Sequence, residues 1–194
     1  MKLRAVAATA ALVLLALAGC TSNDTLAADY ANGSGEGYIS GDGTLTEIPA
    51  DERGKPIEFS GVGEQGEPLS SADYAGSVYV VNFWFASCPP CRVEAADLVA
   101  LDEEYTDVSF LGVNIFDGPE VAASFATKFG VKYPSIMDAD TASVQLAFAG
   151  VVSPNAAPTT LVIDREGRVA ARISGVIREK SILAAMIDTV VAEK

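Results

Sequence analysis

The feature that most constrains the fold is an almost unbroken apolar run, residues 77–85, that leads directly into a Cys-Pro-Pro-Cys motif at 88–91. The run is rich in β-branched and aromatic residues, a composition typical of a central strand buried on both faces. After the motif, apolar residues recur at three- and four-residue spacing over 90–105, which predicts an amphipathic helix. The sequence therefore predicts an α/β fold in which a cysteine pair joins a buried strand to a helix.

The position of the pair at a helix start has a chemical rationale. Cys88 would lie at the helix N-terminus, where unpaired N–H groups and the macrodipole favour a thiolate. Cys91 would lie one turn further in, from where it can attack a mixed disulfide on Cys88. We therefore expect Cys88 to be an exposed nucleophile and Cys91 a buried resolving thiol. Pro89 and Pro90 suit the first helical turn, whose N–H groups have no partner within the helix.

Other uses of a CxxC pair fit the sequence less well. A zinc site would need two further ligands, yet the chain has no second CxxC and no histidine. Haem attachment would need His after the second cysteine, where Arg92 stands. A static disulfide remains an alternative, although so short a loop gains little from chain entropy. The absence of histidine also excludes Ser-His-Asp and Cys-His catalysis. We expect a redox-active pair with no metal and no cofactor.

Charge and length narrow the class of protein further. The 194 residues suffice for one domain with extensions. The formal net charge of −13 argues against a nucleic-acid partner, which would require a basic patch.

The N-terminus has the pattern of an export signal. Lys2 and Arg4 precede an uncharged apolar run, 5–18, too short for a comfortable membrane span. The run ends in Leu17-Ala18-Gly19-Cys20, which resembles the lipobox of bacterial lipoproteins. That resemblance implies lipidation of Cys20 and an extracytoplasmic, membrane-anchored protein. An ordinary signal peptide or an uncleaved anchor is the alternative. We predict a signal peptide at 1–19, a Gly- and Ser-rich tether at 20–53 and one folded domain at 54–194.

Further elements follow from periodicity and turn residues. The predicted helix 119–129 would direct Val121, Phe125 and Phe129 inward. The remaining elements are an N-terminal hairpin (57–60 with 67–70), strands at 107–114 and 135–138, a helix at 141–148, a hairpin (159–164 with 169–173) and a C-terminal helix at 181–191.

A family resemblance becomes visible at this point. Residues 82–94 resemble the active-site segment of thioredoxin-fold proteins, and most closely that of the extracytoplasmic TlpA/ResA-like branch. Similarity continues over 57–191, with support from 112–114 and 157–164. The resemblance implies a thioredoxin-like fold, a mixed central sheet flanked by helices, with an N-terminal hairpin and a central helix-strand insertion within 119–148. It also implies a thiol–disulfide oxidoreductase that acts on protein thiols and disulfides.

The resemblance also implies roles for residues outside the motif. It implies that Pro158 follows a cis peptide bond beside the cysteines, and that Ala157 and Pro158 present backbone to an incoming peptide. Trp84 would pack near the site. The expected substrate contacts are Trp84, Pro89, Pro90, Ala157 and Pro158.

Glu94 is the candidate proton carrier. Helical spacing places it on the same face as Cys91 and Leu98, where partial desolvation would raise its pKa towards a value useful for proton transfer. We hypothesise that Glu94 tunes or deprotonates the thiols. The alternative is a solvated carboxylate in the first helical turn.

Departures from thioredoxin itself bear on partners and direction. Asn82 stands where thioredoxin has a buried Asp, and Ser87 where it has Trp before the first cysteine, which favours dedicated partners. Proline removes an N–H donor near the thiolate, and weak stabilisation of the thiolate favours the disulfide and a low reduction potential. We therefore expect a reductant, for example of apocytochrome c cysteines, that receives its electrons from a membrane thiol–disulfide donor. Alternatives are a disulfide-forming oxidase, a non-catalytic binding lipoprotein, and a peroxiredoxin, which would carry Thr where Phe85 stands.

Overall fold

The computed structural model describes residues 44–153 and 155–193. The predicted signal peptide, Cys20 and the predicted tether as far as residue 43 lie outside the described residues. Within the described ranges, no helix combines the length and apolar character needed to cross a membrane.

The described chain consists of short strands and helices. The strands are β1 (Leu45–Glu47), β2 (Ser60–Val62), β3 (Pro68–Ser70), β4 (Tyr79–Trp84), β5 (Ser109–Asn114), β6 (Ser135–Met137), β7 (Thr159–Ile163) and β8 (Val169–Ser174). The helices are α1 (Pro89–Glu104), α2 (Pro119–Phe129), α3 (Ser143–Ala147) and α4 (Lys180–Ala192), and a 3-10 turn covers Ser71–Tyr74.

Six strands form one mixed sheet in the order β1-β8-β7-β4-β5-β6. β4 is central, parallel to β5 and antiparallel to β7, and all six of its residues are buried, as the apolar run predicts. β2 and β3 pair separately as the N-terminal hairpin, and α2 with β6 supplies the predicted central insertion. A mixed sheet flanked by helices is thereby confirmed.

Alternation along β4 sends side chains to two cores. Val80 faces α1 and α4, where it packs with Leu98 and Leu183. Val81 and Phe83 face the other side, together with residues of α3 and the hairpin. Even-numbered positions of β4 therefore point towards α1, which fixes Asn82 and Trp84 beneath the cysteine pair.

The start of the folded domain was predicted too late. β1 lies inside the segment predicted as a tether (20–53), yet it pairs antiparallel with β8 at the sheet edge. Arg53, in the same segment, has a side chain only 3% exposed and makes ion pairs with Asp164 at 3.0 Å and Glu193 at 2.6 Å. A strand of three residues is too short to show a periodic signal, and pairing with β8 rather than its own composition forms it.

One inward residue of α2 was also predicted wrongly. Val121 is 49% exposed, whereas Ala122 beside it is fully buried with Phe125. Ala122, Phe125 and Phe129 lie on one face at three- and four-residue spacing, so the phase of the helix prevails over the larger side chain at 121.

Candidate active site

The cysteine pair lies where β4 gives way to α1. Cys88 is the N-cap of the helix, and its Sγ accepts a hydrogen bond of 3.1 Å from the backbone N–H of Cys91. The two cysteines form a disulfide with a Cα–Cα distance of 5.3 Å. Pro89 and Pro90 occupy the first two helical positions, as predicted, so neither supplies an N–H group to the N-cap sulfur.

The predicted exposure of Cys88 is wrong in this disulfide form. Cys88 is 1% exposed and Cys91 3% exposed. Both pack into a cluster with Trp84 and Ala95, and Phe85 and Ala157 pack against that cluster from outside. Helix position alone suggested an open sulfur, but the packing comes both from Phe85, three residues earlier, and from Ala157, which is distant in sequence.

The predicted cis peptide bond is present between Ala157 and Pro158. β7 begins immediately afterwards, and its first residue, Thr159, pairs with Phe83 at the end of β4 that carries the cysteines. The carbonyl of Pro158 accepts a hydrogen bond from Gly175 N at 2.9 Å. Within the described ranges, no backbone hydrogen bond uses the N–H or C=O of Ala157. Ala157 therefore has the backbone groups that can meet a peptide, whereas those of Pro158 are engaged or absent.

Glu94 lies on the inner face of α1, as helical spacing predicts. Its side chain is fully buried, with Oε1 accepting from Asn82 Nδ2 and Oε2 from Ile177 N, each at 2.9 Å. Burial raises the pKa of Glu94 to about 7, although the two hydrogen bonds oppose the rise, and Asp97 adds a small repulsion. A buried carboxyl that titrates near neutrality can take up or release a proton under physiological conditions.

Asn82 joins this carboxyl to the sheet. Its Nδ2 donates to Glu94 and also to Thr160 Oγ1 at 3.0 Å, the residue directly opposite on β7. The sequence identified Asn82 only as a position that cannot act as a base. The alternation of β4 placed it under α1, but its partner on β7 and the role of Ile177 required the tertiary structure.

A small internal cavity adjoins Cys91. Its volume of about 10 Å³ is the size of one water molecule. Its lining includes Cys91, Asn82 and Tyr133, and burial raises the pKa of Tyr133. Asn82 therefore borders both the cavity beside the sulfur and the Glu94 carboxyl, which gives a short polar connection between the two. Tyr133 had no sequence signal, since it lies in the turn before β6.

Trp84 forms another wall of the cavity. It is 5% exposed, packs on Phe125 with ring centroids 4.4 Å apart, and donates through Nε1 to Ser135 Oγ at 3.3 Å. Trp84 lies near the site as expected, but it offers little surface to a substrate. Pro89 is exposed and Pro90 half-buried, so both are placed where a substrate can touch them.

A metal has no evident place near the pair. Over the described residues, no group of three or more Cys, Asp or Glu side chains is arranged to hold an ion.

Sequence comparison places these features among known proteins. The profile of the redoxin family matches residues 47–187. The thiol:disulfide interchange protein HelX of Rhodobacter capsulatus is 33% identical over 126 residues, which cover 64% of this chain and 68% of that protein. DsbE of Pseudomonas aeruginosa, also a thiol:disulfide interchange protein, is 33% identical over 140 residues, covering 70% and 73%. The thiol-disulfide oxidoreductase ResA of Bacillus subtilis is 29% identical over 119 residues, covering 60% and 64%.

Structural comparison agrees with the sequence. A DsbF homologue from Corynebacterium diphtheriae superposes with a TM-score of 0.69 at 30% identity, covering 78% of this chain and 96% of that one. A secreted thiol-disulfide isomerase from Corynebacterium glutamicum has a TM-score of 0.68 at 28% identity, covering 78% and 96%. These likenesses confirm the thioredoxin-like fold that the sequence predicted.

Proposed function

The chain belongs to the redoxin family and is a thiol–disulfide oxidoreductase, and from that premise we propose that it reduces disulfides of partner proteins outside the cytoplasm. The observation that carries the proposal is the Cys88–Cys91 disulfide at the start of α1, beside the cis peptide bond at Pro158. Apocytochrome c cysteines are the substrate class that we favour.

The reaction would proceed by two exchanges. The Cys88 thiolate attacks one sulfur of a substrate disulfide, forming a mixed disulfide and releasing the other substrate sulfur as a thiolate. The Cys91 thiol then loses its proton and attacks Cys88 Sγ, which releases the second substrate sulfur. The substrate has gained two electrons, and the enzyme is left with the disulfide seen in the structure. A membrane thiol–disulfide donor would return two electrons to the pair.

Glu94 would accept the proton of Cys91. Its carboxyl titrates near pH 7, and Asn82 connects it to the cavity that Cys91 lines. A carboxylate at this position can hold the proton while Cys91 attacks, and can return it when the pair is reduced again.

We infer the direction of electron flow from the proline pair. An N-cap side chain accepts from the N–H of the second or third helical residue. Pro90 occupies the second position, so the Cys91 N–H at the third is the donor that meets Cys88 Sγ. A thiolate with few donors is weakly stabilised, which favours the disulfide and a low reduction potential. Such a pair reduces its partners.

Anchoring is proposed from the sequence pattern around Cys20. Lipidation there would hold the domain at the outer face of the membrane. Metabolic labelling with a fatty-acid analogue should mark the wild-type chain but not Cys20→Ser. Labelling of both proteins would refute the anchor.

The function is tested by trapping partners. Cys91→Ser in the native host should accumulate mixed disulfides on Cys88, which can be separated by diagonal electrophoresis and identified. The Cys88→Ser, Cys91→Ser double variant is the matched control. Trapped proteins that carry paired cysteines, together with a reduction potential close to that of thioredoxin, would support a reductant. A potential near that of the strong oxidant DsbA would instead identify a disulfide-forming oxidase.

A further inference from the structure

Phe116 is an exposed aromatic residue close to the cysteine pair. It follows β5, next to the point where β4 leads into α1, and it is 73% exposed. Its ring lies 5.7 Å from that of Phe85, which packs against the cluster containing both cysteines. Single exposed apolar residues are common on protein surfaces, so exposure by itself assigns no role to Phe116.

The turn that carries Phe116 is held in one conformation by buried polar groups. Asn114 is fully buried, and its Oδ1 accepts from the backbone N–H of Phe116 at 3.0 Å and of Asp117 at 2.7 Å. Asn114 Nδ2 donates to Asp117 Oδ2 at 3.0 Å, which closes the turn. Phe116 is therefore displayed by a fixed turn, so little conformational entropy is lost when a partner binds it.

The same turn is tied to the loop that precedes Cys88. Asp117 Oδ2 accepts a hydrogen bond from Ala86 N at 2.6 Å, and Cys88 N donates to the carbonyl of Phe85 at 3.2 Å. The position of Phe116 relative to the sulfur is thereby set through a short chain of hydrogen bonds. Because the Asp117 carboxylate is turned towards the backbone, the surface formed by Phe116 and Phe85 favours an apolar contact over a charged one.

We propose that Phe116 and Phe85 form a subsite for a bulky apolar side chain located near the reactive cysteine of a protein substrate. β5 and β7 flank β4 on opposite sides, so the subsite and the backbone of Ala157 lie on opposite sides of the pair. A peptide that meets Ala157 with its backbone and places its cysteine at Cys88 continues towards Phe116. The inference rests on the proposed function, since it names a substrate class for the same site.

Two disulfide-linked peptides that differ at one residue test the subsite. One carries Leu next to its cysteine and the other carries Ser, and kcat/KM for reduction is measured for each. Partial burial of a leucine side chain is expected to favour the Leu peptide about tenfold with the wild-type protein. Phe116→Ser should abolish that preference, so that kcat/KM becomes equal for the Leu peptide and the Ser peptide. Leu146→Ser is the matched control, because Leu146 is 76% exposed on α3, across the sheet from the pair.

Binding without chemistry separates this proposal from the proposed function. The same two peptides with Ala in place of cysteine are titrated against the protein, and their Kd values are compared. A tenfold preference for Leu that disappears in Phe116→Ser supports the subsite even if no disulfide is reduced. An equal Kd for both peptides with the wild-type protein, or the same loss of preference in Leu146→Ser, overturns it.

Discussion

Replacing the buried Glu94 by Gln should change how the stability of the protein depends on pH. The folded-state pKa of about 7 exceeds the ordinary value of 4.5 because burial disfavours the charged carboxyl. Between these two values the folded protein holds a proton that the unfolded chain has released. The free energy of unfolding therefore falls as pH rises through this window, and the stabilisation is fully present only below pH 4.5.

The size of the effect follows from the shift in pKa. One unit is worth about 1.4 kcal/mol, so Glu94 alone removes about 3 kcal/mol of stability between acid and mildly alkaline pH. Glu94→Gln has no carboxyl to titrate at this position, but the substitution also lowers the free energy of unfolding by an amount that does not depend on pH. Its amide has one oxygen acceptor, whereas the carboxylate accepts from both Asn82 and Ile177. One buried donor is left unpaired at every pH, at a cost of about 1–3 kcal/mol.

Urea unfolding of the disulfide form at several pH values from 4 to 8.5 measures this directly. The quantity of interest is the wild-type free energy of unfolding minus that of Glu94→Gln, in which the contributions of other titrating groups cancel. The difference should be largest at acid pH and shrink by about 3 kcal/mol towards alkaline pH. Glu58→Gln, at an exposed carboxyl, is the control substitution. A flat difference for Glu94→Gln would refute a raised pKa.

Three further outcomes can be checked. Pro90→Ala restores an N–H near Cys88 Sγ and should raise the reduction potential, measured against glutathione, by about 30 mV. Pro119→Ala, at the start of α2, should leave the potential unchanged. The same potential in the wild-type protein and in Pro90→Ala would count against the role of the proline pair. Arg53→Ala removes a buried cation and should lower the free energy of unfolding, measured in urea, by about 2 kcal/mol. Replacement of the exposed Lys132 by Ala should leave the free energy of unfolding unchanged. An unchanged free energy of unfolding in Arg53→Ala would contradict a stabilising role for its ion pairs. Gly112→Ala would place a Cβ 2.8 Å from Trp84 Nε1 and should shift the emission spectrum of this single tryptophan. Gly118→Ala is the control, because its Cβ would meet open space. An unshifted emission spectrum in Gly112→Ala would disprove the close approach of Gly112 and Trp84.

Local chemistry predicted the centre of the fold well. The apolar run became β4, the proline pair began α1, and residues 164–168 connect the two antiparallel strands of the predicted hairpin. These features are recoverable because each depends on neighbours in sequence. Helical spacing, which is also local, placed Glu94 on the same face of α1 as Cys91, and both residues are buried there.

What the sequence missed depends on contacts between distant segments. β1 forms by pairing with β8, and Ala157, distant in sequence, packs against the cluster that buries Cys88. Ile177 holds Glu94 through its backbone N–H, a group that every residue except proline carries and that no pattern can single out. Such features could be predicted only once the arrangement of the strands was known.

The pairing of β1 has a geometric consequence for the whole chain. Leu45 lies opposite Ile173, and Ser174 lies opposite Thr159, so β1 begins at the end of the sheet where β4 finishes. Thr44 O accepts from Ser174 N, whose neighbour Gly175 donates to the carbonyl of Pro158. Thr44 and Leu45 thus lie at the end of the sheet that carries the disulfide. Under the proposed lipidation of Cys20, the segment that leads from the anchor would therefore join the described domain at the end of the sheet that carries the disulfide.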